Sequence, residues 1–103
     1  MVEAQAQSLK ELFRDFLRYL DYFLQRNDLS GSEKIYVMYV QEPVEITGGW
    51  SARGVVQIWG EYYTFEVTFD KDLKTVDIES EAFYFHLKID EVEEFLKSIG
   101  VVS

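Results

Sequence analysis

Hydrophobic and polar side chains alternate along most of the stretch from Glu61 to Leu87. Strands place successive side chains on opposite faces of a sheet, so this alternation predicts strands with one apolar and one polar face. The turn formers Asp70, Lys71 and Asp72 separate the first arm from the second. The apolar face is predicted to carry Tyr63, Phe65, Val67, Phe69, Val76, Ile78, Phe83, Phe85 and Leu87. The polar face is predicted to carry Tyr62, Thr64, Glu66, Thr68, Thr75, Asp77, Glu79, Tyr84, His86 and Lys88.

A helical pattern precedes the strands. Between Leu9 and Leu24, apolar residues recur at spacings of three and four, which predicts a long amphipathic helix. Ser8 and Glu11 have the spacing of a capping box, so we expect the helix to start there. The turn formers of Asn27–Ser32 are expected to end it.

A second helical pattern closes the chain between Val92 and Ile99. Asp90 and Glu93 have capping-box spacing, and Gly100 is the residue type expected just after a helix C-terminus. The acidic residues here are therefore explained by the chemistry of a helix N-terminus.

The middle of the chain is less regular. Ile35–Val40 is apolar on both faces, which predicts a central strand or an edge strand covered by a partner. Pro43 lacks an amide donor, so a strand over Val44–Thr47 is expected to be short or at an edge. We expect Thr47–Ser51 to be a flexible loop with an exposed tryptophan, and Val55–Trp59 to return to the sheet. Simple alternation over the first of these strands groups Ile35, Val37 and Tyr39 on one face and Tyr36, Met38 and Val40 on the other.

This order of elements predicts an α+β fold in one domain, residues 1–103. Two amphipathic helices and an amphipathic sheet bury their apolar sides best as a two-layer sandwich. We expect a four- to five-stranded, mostly antiparallel sheet with the N-terminal and C-terminal helices on one face.

Composition limits the class of protein. The chain has 103 residues, 48% of them hydrophobic and 17% aromatic, which is typical of a globular domain. It has no cysteine, so disulfides and thiolate chemistry are excluded. The N-terminus lacks a signal-peptide pattern and no apolar run is long enough for a membrane helix, so we expect a cytoplasmic protein without a membrane partner. A single proline and few Asn or Gln residues hint at a thermophilic source.

The net charge of −9 is unevenly distributed. Residues 1–60 hold 8 acidic against 6 basic side chains, and residues 61–103 hold 11 against 4. Such a field repels phosphate backbones, which disfavours direct nucleic-acid binding. A protein partner with a basic surface is the natural expectation; the alternative is that the acidic residues only keep the domain soluble.

Catalytic patterns are weak. His86 is the only histidine, which excludes a multi-histidine metal site. An acid/base pair of His86 with Glu66, Asp77 or Glu79 is conceivable across strands, but the same alternation is typical of a solvated sheet face. Asp70 and Asp72 lack calcium-loop spacing. We therefore predict a non-enzymatic protein without metal or cofactor.

Association is the better-supported prediction. The aromatic and apolar residues expected on the surface exceed what a small monomer usually exposes, which favours a homodimer. These residues are Trp50, Trp59, Tyr36, Met38, Tyr62 and Tyr84. The residues predicted to bind a partner are Glu66, Asp77, Glu79, Tyr62 and Tyr84.

A short, acidic, cysteine-free chain with a sheet between two helices resembles the small anti-CRISPR proteins of viruses that infect thermophilic archaea, in particular the inhibitor of the type I-D effector. The resemblance covers the Leu9–Leu24 helix, the strands up to Leu87 and the Val92–Ile99 helix in outline, and no single motif carries it. It implies a homodimer that acts in the host cytoplasm and blocks the effector's large subunit through its acidic face.

Two alternatives remain open at this point. One is a small-molecule binder or enzyme with an apolar cavity between sheet and helix, in which His86 or Glu66 is the polar anchor. That cavity would be lined by Tyr63, Phe65, Phe83 and Phe85. The other is a virion or assembly subunit.

Overall fold

The structure, a computed structural model, describes residues 2–27 and 35–101, with side chains from Leu9 onward in the first range. The predicted turn cluster Asn27–Ser32 lies outside the described residues from position 28. The elements in chain order are α1 (Val2–Arg18), α2 (Leu20–Arg26), β1 (Ile35–Val40), β2 (Val44–Ile46), β3 (Gly49–Ile58), β4 (Glu61–Asp70), β5 (Thr75–Ser80), β6 (Tyr84–Lys88) and α3 (Ile89–Ser98).

The strands form one antiparallel sheet in the order β1-β3-β4-β5-β6. Its longest pairing joins β3 and β4 from Gly49 opposite Asp70 to Ile58 opposite Glu61. β1 and β2 both pair with the other side of β3, as two halves of one edge strand interrupted at residues 41–43. Pro43 lies in this interruption, as its missing amide donor requires. The sheet therefore has six strand segments in five positions.

All three helices cover the same face of the sheet. Phe13 of α1 meets Phe69 of β4, with ring centroids 5.7 Å apart. Phe23 of α2 contacts Phe85 at 5.3 Å and Phe95 of α3 at 5.4 Å. The predicted α+β two-layer sandwich is confirmed, and we call the opposite, helix-free side of the sheet the outer face.

The N-terminal helix differs from its prediction in two ways. It begins at Val2, so Ser8 lies inside the helix and the capping box predicted there is wrong. It also bends at Tyr19, whose backbone N–H is shared between the carbonyls of Asp15 and Phe16, both at 3.2 Å. Beyond the bend, α2 lies beside β1.

The last helix starts earlier than its capping signal predicted. β6 runs directly into α3, with Lys88 as the N-cap residue, so Asp90 is already in the first turn. The Lys88 backbone N–H donates to Glu91 Oε1 at 3.1 Å, which is the role assigned to Glu93. Gly100 was predicted correctly: its φ of 80° follows the last turn, and Val101 N–H donates to the Leu96 carbonyl at 2.9 Å.

Trp50 is in the core, which corrects the prediction of a flexible loop. Thr47 and Gly48 form the turn of a β2–β3 hairpin, and β3 already begins at Gly49. This places Trp50 opposite Phe69, with ring centroids 5.6 Å apart and only 6% of the tryptophan exposed. A Cβ on Gly49 would lie 1.8 Å from the Phe69 carbonyl oxygen, so the tight approach requires glycine.

β1 contains a bulge that changes which residues face the helices. Val37 pairs with Val56, and Tyr39 pairs with Val55, so Met38 has no partner of its own. After this extra residue Tyr39 returns to the outer face, and the predicted grouping of Tyr39 with Ile35 and Val37 is wrong. The inward side chains are Ile35, Val37 and Val40.

The edge of β1 that faces away from β3 is partly covered by α2. The Asp21 carboxylate accepts a hydrogen bond from the Val37 backbone N–H. The Gln25 side-chain amide donates to the Ile35 carbonyl at 3.2 Å. Two backbone groups that would otherwise offer an edge for another strand are thus satisfied within the chain.

We predict that Gly54→Ala destabilises the fold by about 1–3 kcal/mol, because the added methyl overpacks a filled site. Its Cβ would lie 2.2 Å from the Tyr39 carbonyl oxygen and 2.4 Å from Phe65 Cζ. Urea unfolding followed by tryptophan fluorescence measures the change. Gly48→Ala is the comparison: nothing lies within 4 Å of its Cβ, and only its φ of 84° is unfavourable. A smaller loss for Gly54→Ala than for Gly48→Ala would contradict this explanation.

Candidate acidic face

The outer face carries a row of polar side chains across four strands. Arg53 of β3 is opposite Glu66 of β4, Glu66 is opposite Glu79 of β5, and Glu79 is opposite Tyr84 of β6. We call this the acidic row. Arg53 Nε lies 3.3 Å from Glu66 Oε2, so the only guanidinium of the row is paired with the nearer carboxylate. Glu66 and Glu79 remain like charges directly across two strands, an arrangement that disfavours the folded state.

Asp77 joins two aromatic side chains beside this row. It is opposite His86, and its Oδ1 lies 2.6 Å from His86 Nδ1. The same oxygen accepts a hydrogen bond from the Tyr84 hydroxyl at 2.7 Å. This hydrogen bond, together with partial desolvation and the negative charges of Asp77 and Glu79, raises the pKa of Tyr84 above its usual value.

An open groove of about 790 Å³ lies over the acidic row. Gln41 forms part of its wall at the gap between β1 and β2. The Gln41 backbone N–H donates to the Arg53 carbonyl at 2.8 Å, and its side-chain oxygen accepts from the Arg53 N–H at 3.0 Å. Other lining residues are Tyr39, Arg53, Glu66, Glu79, Glu81 and Tyr84.

Aromatic side chains dominate the other half of the outer face, around the β3–β4 turn. Tyr36 and Tyr62 both lie opposite Gln57, one on each side of β3. Trp59 occupies the turn itself with a φ of 51°, a conformation unusual for so large a residue. We call this group, each member between 45% and 63% exposed, the aromatic patch: Tyr36, Met38, Tyr39, Trp59 and Tyr62.

The structure brings together four of the five predicted partner-binding residues. Glu66, Asp77, Glu79 and Tyr84 lie on adjacent strands of one face. Tyr62 shares the face but belongs to the aromatic patch, about 13 Å from Glu66 along β4 at the usual rise per residue.

Residues missed by sequence reasoning enter the site through β1 and β3. Arg53 belongs to no site predicted from the sequence, and Tyr39 lies on the face opposite to that of its predicted group. A signal for Arg53 is present in the sequence, because small and apolar residues alternate with polar ones from Trp50 to Gly54. No signal marked the bulge at Met38, since every residue of β1 is apolar or aromatic.

A ligand cavity between the sheet and the helices, with His86 or Glu66 as its polar anchor, does not fit the sides of the sheet on which these residues lie. Phe65 and Phe85 point toward the helices, whereas Glu66 and His86 point to the outer face. A ligand between sheet and helices therefore has neither predicted anchor within its cavity. Phe65 itself is only 3% exposed and is part of the core.

Metal-binding geometry is not found in the described part of the chain. Residues 2–27 and 35–101 contain no group of three or more side chains placed to hold a metal ion. Asp70 instead closes its turn, because its Oδ1 accepts the backbone N–H groups of Asp72 and Leu73, both at 2.9 Å.

No protein family, curated protein or solved structure shows a match to this chain. Among the helices of the described ranges, none combines the length and apolar character needed to cross a membrane. Function has to be inferred from the outer face itself.

We predict that Asp77→Ala lowers the pKa of Tyr84, because the phenol loses its carboxylate acceptor. Absorbance titration above about pH 9 measures phenolate formation. The chain has 7 tyrosines, so the Tyr84 signal is the difference between each background and its Tyr84→Phe counterpart.

The raised pKa of Tyr84 also determines how the stability of the fold depends on pH. The Tyr84 hydrogen bond contributes fully to the stability of the fold at pH values below the pKa of an unfolded tyrosine, about 10. This contribution is lost as the pH rises through the higher pKa that Tyr84 has in the folded state. If the Tyr84 signal titrates at the same pH with and without Asp77, the hydrogen bond does not control this phenol.

Proposed function

We propose that this chain is a non-enzymatic interaction protein whose outer face binds a basic surface on a protein complex that handles nucleic acid. By covering that surface it excludes the nucleic acid. It acts as an anti-CRISPR-like inhibitor in the cytoplasm of the host cell.

The observation that carries this proposal is the Glu66–Glu79 pair. Two carboxylates directly opposite each other in a sheet work against folding, and one arginine balances only one of them. A basic partner relieves this repulsion when it binds. The acidic surplus of residues 61–103 adds a long-range attraction for the same partner and repels nucleic acid.

The aromatic patch supports a homodimer. Its outer-face side chains carry no formal charge, so two chains of net charge −9 can meet there without opposing carboxylates. With about 150–250 Å² for each large aromatic side chain, the exposed part of the patch is on the order of 500 Å². Standard interfaces take about 800 Å² from each partner, so the patch supplies most of the required area. The charged side chains of the acidic rows then remain free for the basic partner, and Tyr39 lies at the boundary of the two surfaces.

We predict that the protein releases duplex DNA from a nine-lysine peptide, since it offers the peptide a competing acidic surface. Fluorescence anisotropy of a labelled duplex measures the release, which should weaken as salt is added. The double variant Glu66→Gln/Glu79→Gln should need about tenfold more protein for half-release.

The matched control for this experiment is Glu11→Gln/Glu94→Gln, which makes the same change in net charge on exposed helical positions. It should behave like the unmodified protein. Equal weakening by both double variants would mean that only net charge matters, and the outer face would lose its proposed role.

We predict that Tyr62→Glu raises the dimer dissociation constant at least about tenfold, because it buries a carboxylate without a cationic partner between two acidic chains. Sedimentation velocity over a concentration series measures the dimer population. Tyr84→Glu introduces the same charge at an equally exposed tyrosine outside the patch and should leave the dimer intact. A monomeric unmodified protein, or a dimer disrupted only by Tyr84→Glu, would contradict the placement.

A further inference from the structure

Tyr84 and Glu79 form a distinct pair at the β6 end of the acidic row. They are direct cross-strand neighbours, and both line the groove. Tyr84 is 59% exposed although it lies in a regular strand. An aromatic ring and a carboxylate side by side are the two groups that a cationic side chain contacts most favourably.

The Tyr84 ring is held in place by its hydroxyl. The hydrogen bond to Asp77 at 2.7 Å fixes one end of the side chain, and the strand fixes the other. Asp77 is itself held by His86 at 2.6 Å. Because the ring is already ordered, little rotational freedom is left to lose when a ligand stacks on it.

Glu79 differs from Glu66 in its availability. Glu66 is paired with Arg53 at 3.3 Å. Within the described residues, no cationic side chain forms an ion pair with Glu79. Glu81 lines the same groove and adds a further negative charge close by.

We propose that Tyr84 and Glu79 form an arginine-binding subsite for a protein partner. The guanidinium stacks on the Tyr84 ring and donates two hydrogen bonds to the Glu79 carboxylate. Asp77 and His86 are positioning residues that orient the ring. Arginine is favoured over lysine because a planar guanidinium stacks and donates in parallel, whereas an ammonium group attracts only as a point charge. The subsite rests on the proposed function, because it recognises an arginine on the same protein partner with a basic surface.

The test compares labelled nine-arginine and nine-lysine peptides by fluorescence anisotropy at fixed salt. The unmodified protein should bind the arginine peptide about three- to fivefold more tightly than the lysine peptide. Tyr84→Leu should reduce this ratio toward one and change lysine binding less than about twofold. Glu79→Gln should reduce the ratio more than Glu66→Gln does, because Glu66 already has a partner.

Tyr22→Leu is the matched control, since Tyr22 on α2 is similarly exposed at 55% but belongs to the helical layer. It should keep the full arginine preference, and thermal melting checks that every variant folds. A ratio near one in the unmodified protein, or an equal drop for Tyr22→Leu and Tyr84→Leu, overturns the subsite while binding to basic peptides stands. Failure to bind either peptide overturns the subsite and the proposed function together.

Discussion

The full-length pairing of β3 and β4 is the constraint on which the other elements depend. It joins Gly49 to Asp70 at one end and Ile58 to Glu61 at the other. β1 and β2 attach to one side of this pair and β5 to the other, so its register decides every face. A slip by one residue would put Trp50 and Phe69 on opposite faces: with Trp50 still in the core, Phe69 would turn into solvent and Glu66 would lie under the helices. The close approaches at Gly49 and Gly54 permit the observed register at two points where a side chain would block it.

The parts of the fold that sequence reasoning predicted are those in which one periodicity acts alone. β4, β5 and β6 each alternate cleanly, and the end of α3 at Gly100 follows from a glycine signal. The errors arise where two signals compete. Thr47–Ser51 contains two glycines that are typical of a loop, but one serves the turn and the other a close strand approach. In β1 the bulge at Met38 is invisible, because residues on both sides of it are apolar.

The candidate site was predictable to the extent that it follows from strand alternation. The alternation of odd and even positions along each strand is enough to place four predicted residues on one face: Glu66, Asp77, Glu79 and Tyr84. The register between strands decides which charged residues pair with each other. The alternation of odd and even positions along one strand does not contain that information. The pairing of Arg53 with Glu66 therefore required the structure, as did the link from Asp77 to both Tyr84 and His86. The outer face has two chemically different halves because β5 pairs only with residues 65–70 of β4, and β6 extends the sheet from β5.

The edge contacts of α2 also bear on the order in which the protein is made. Asp21 and Gln25 precede β1 in the chain. Asp21 lies 16 residues before Val37, whose backbone N–H donates a hydrogen bond to its carboxylate. During synthesis from the N-terminus, the groups that cap this edge leave the ribosome before the strand does. β3 and β4, which complete the sheet, emerge only later. The nascent chain thus carries its own protection against strand pairing between neighbouring polypeptides at the stage when its first strand has no sheet to join.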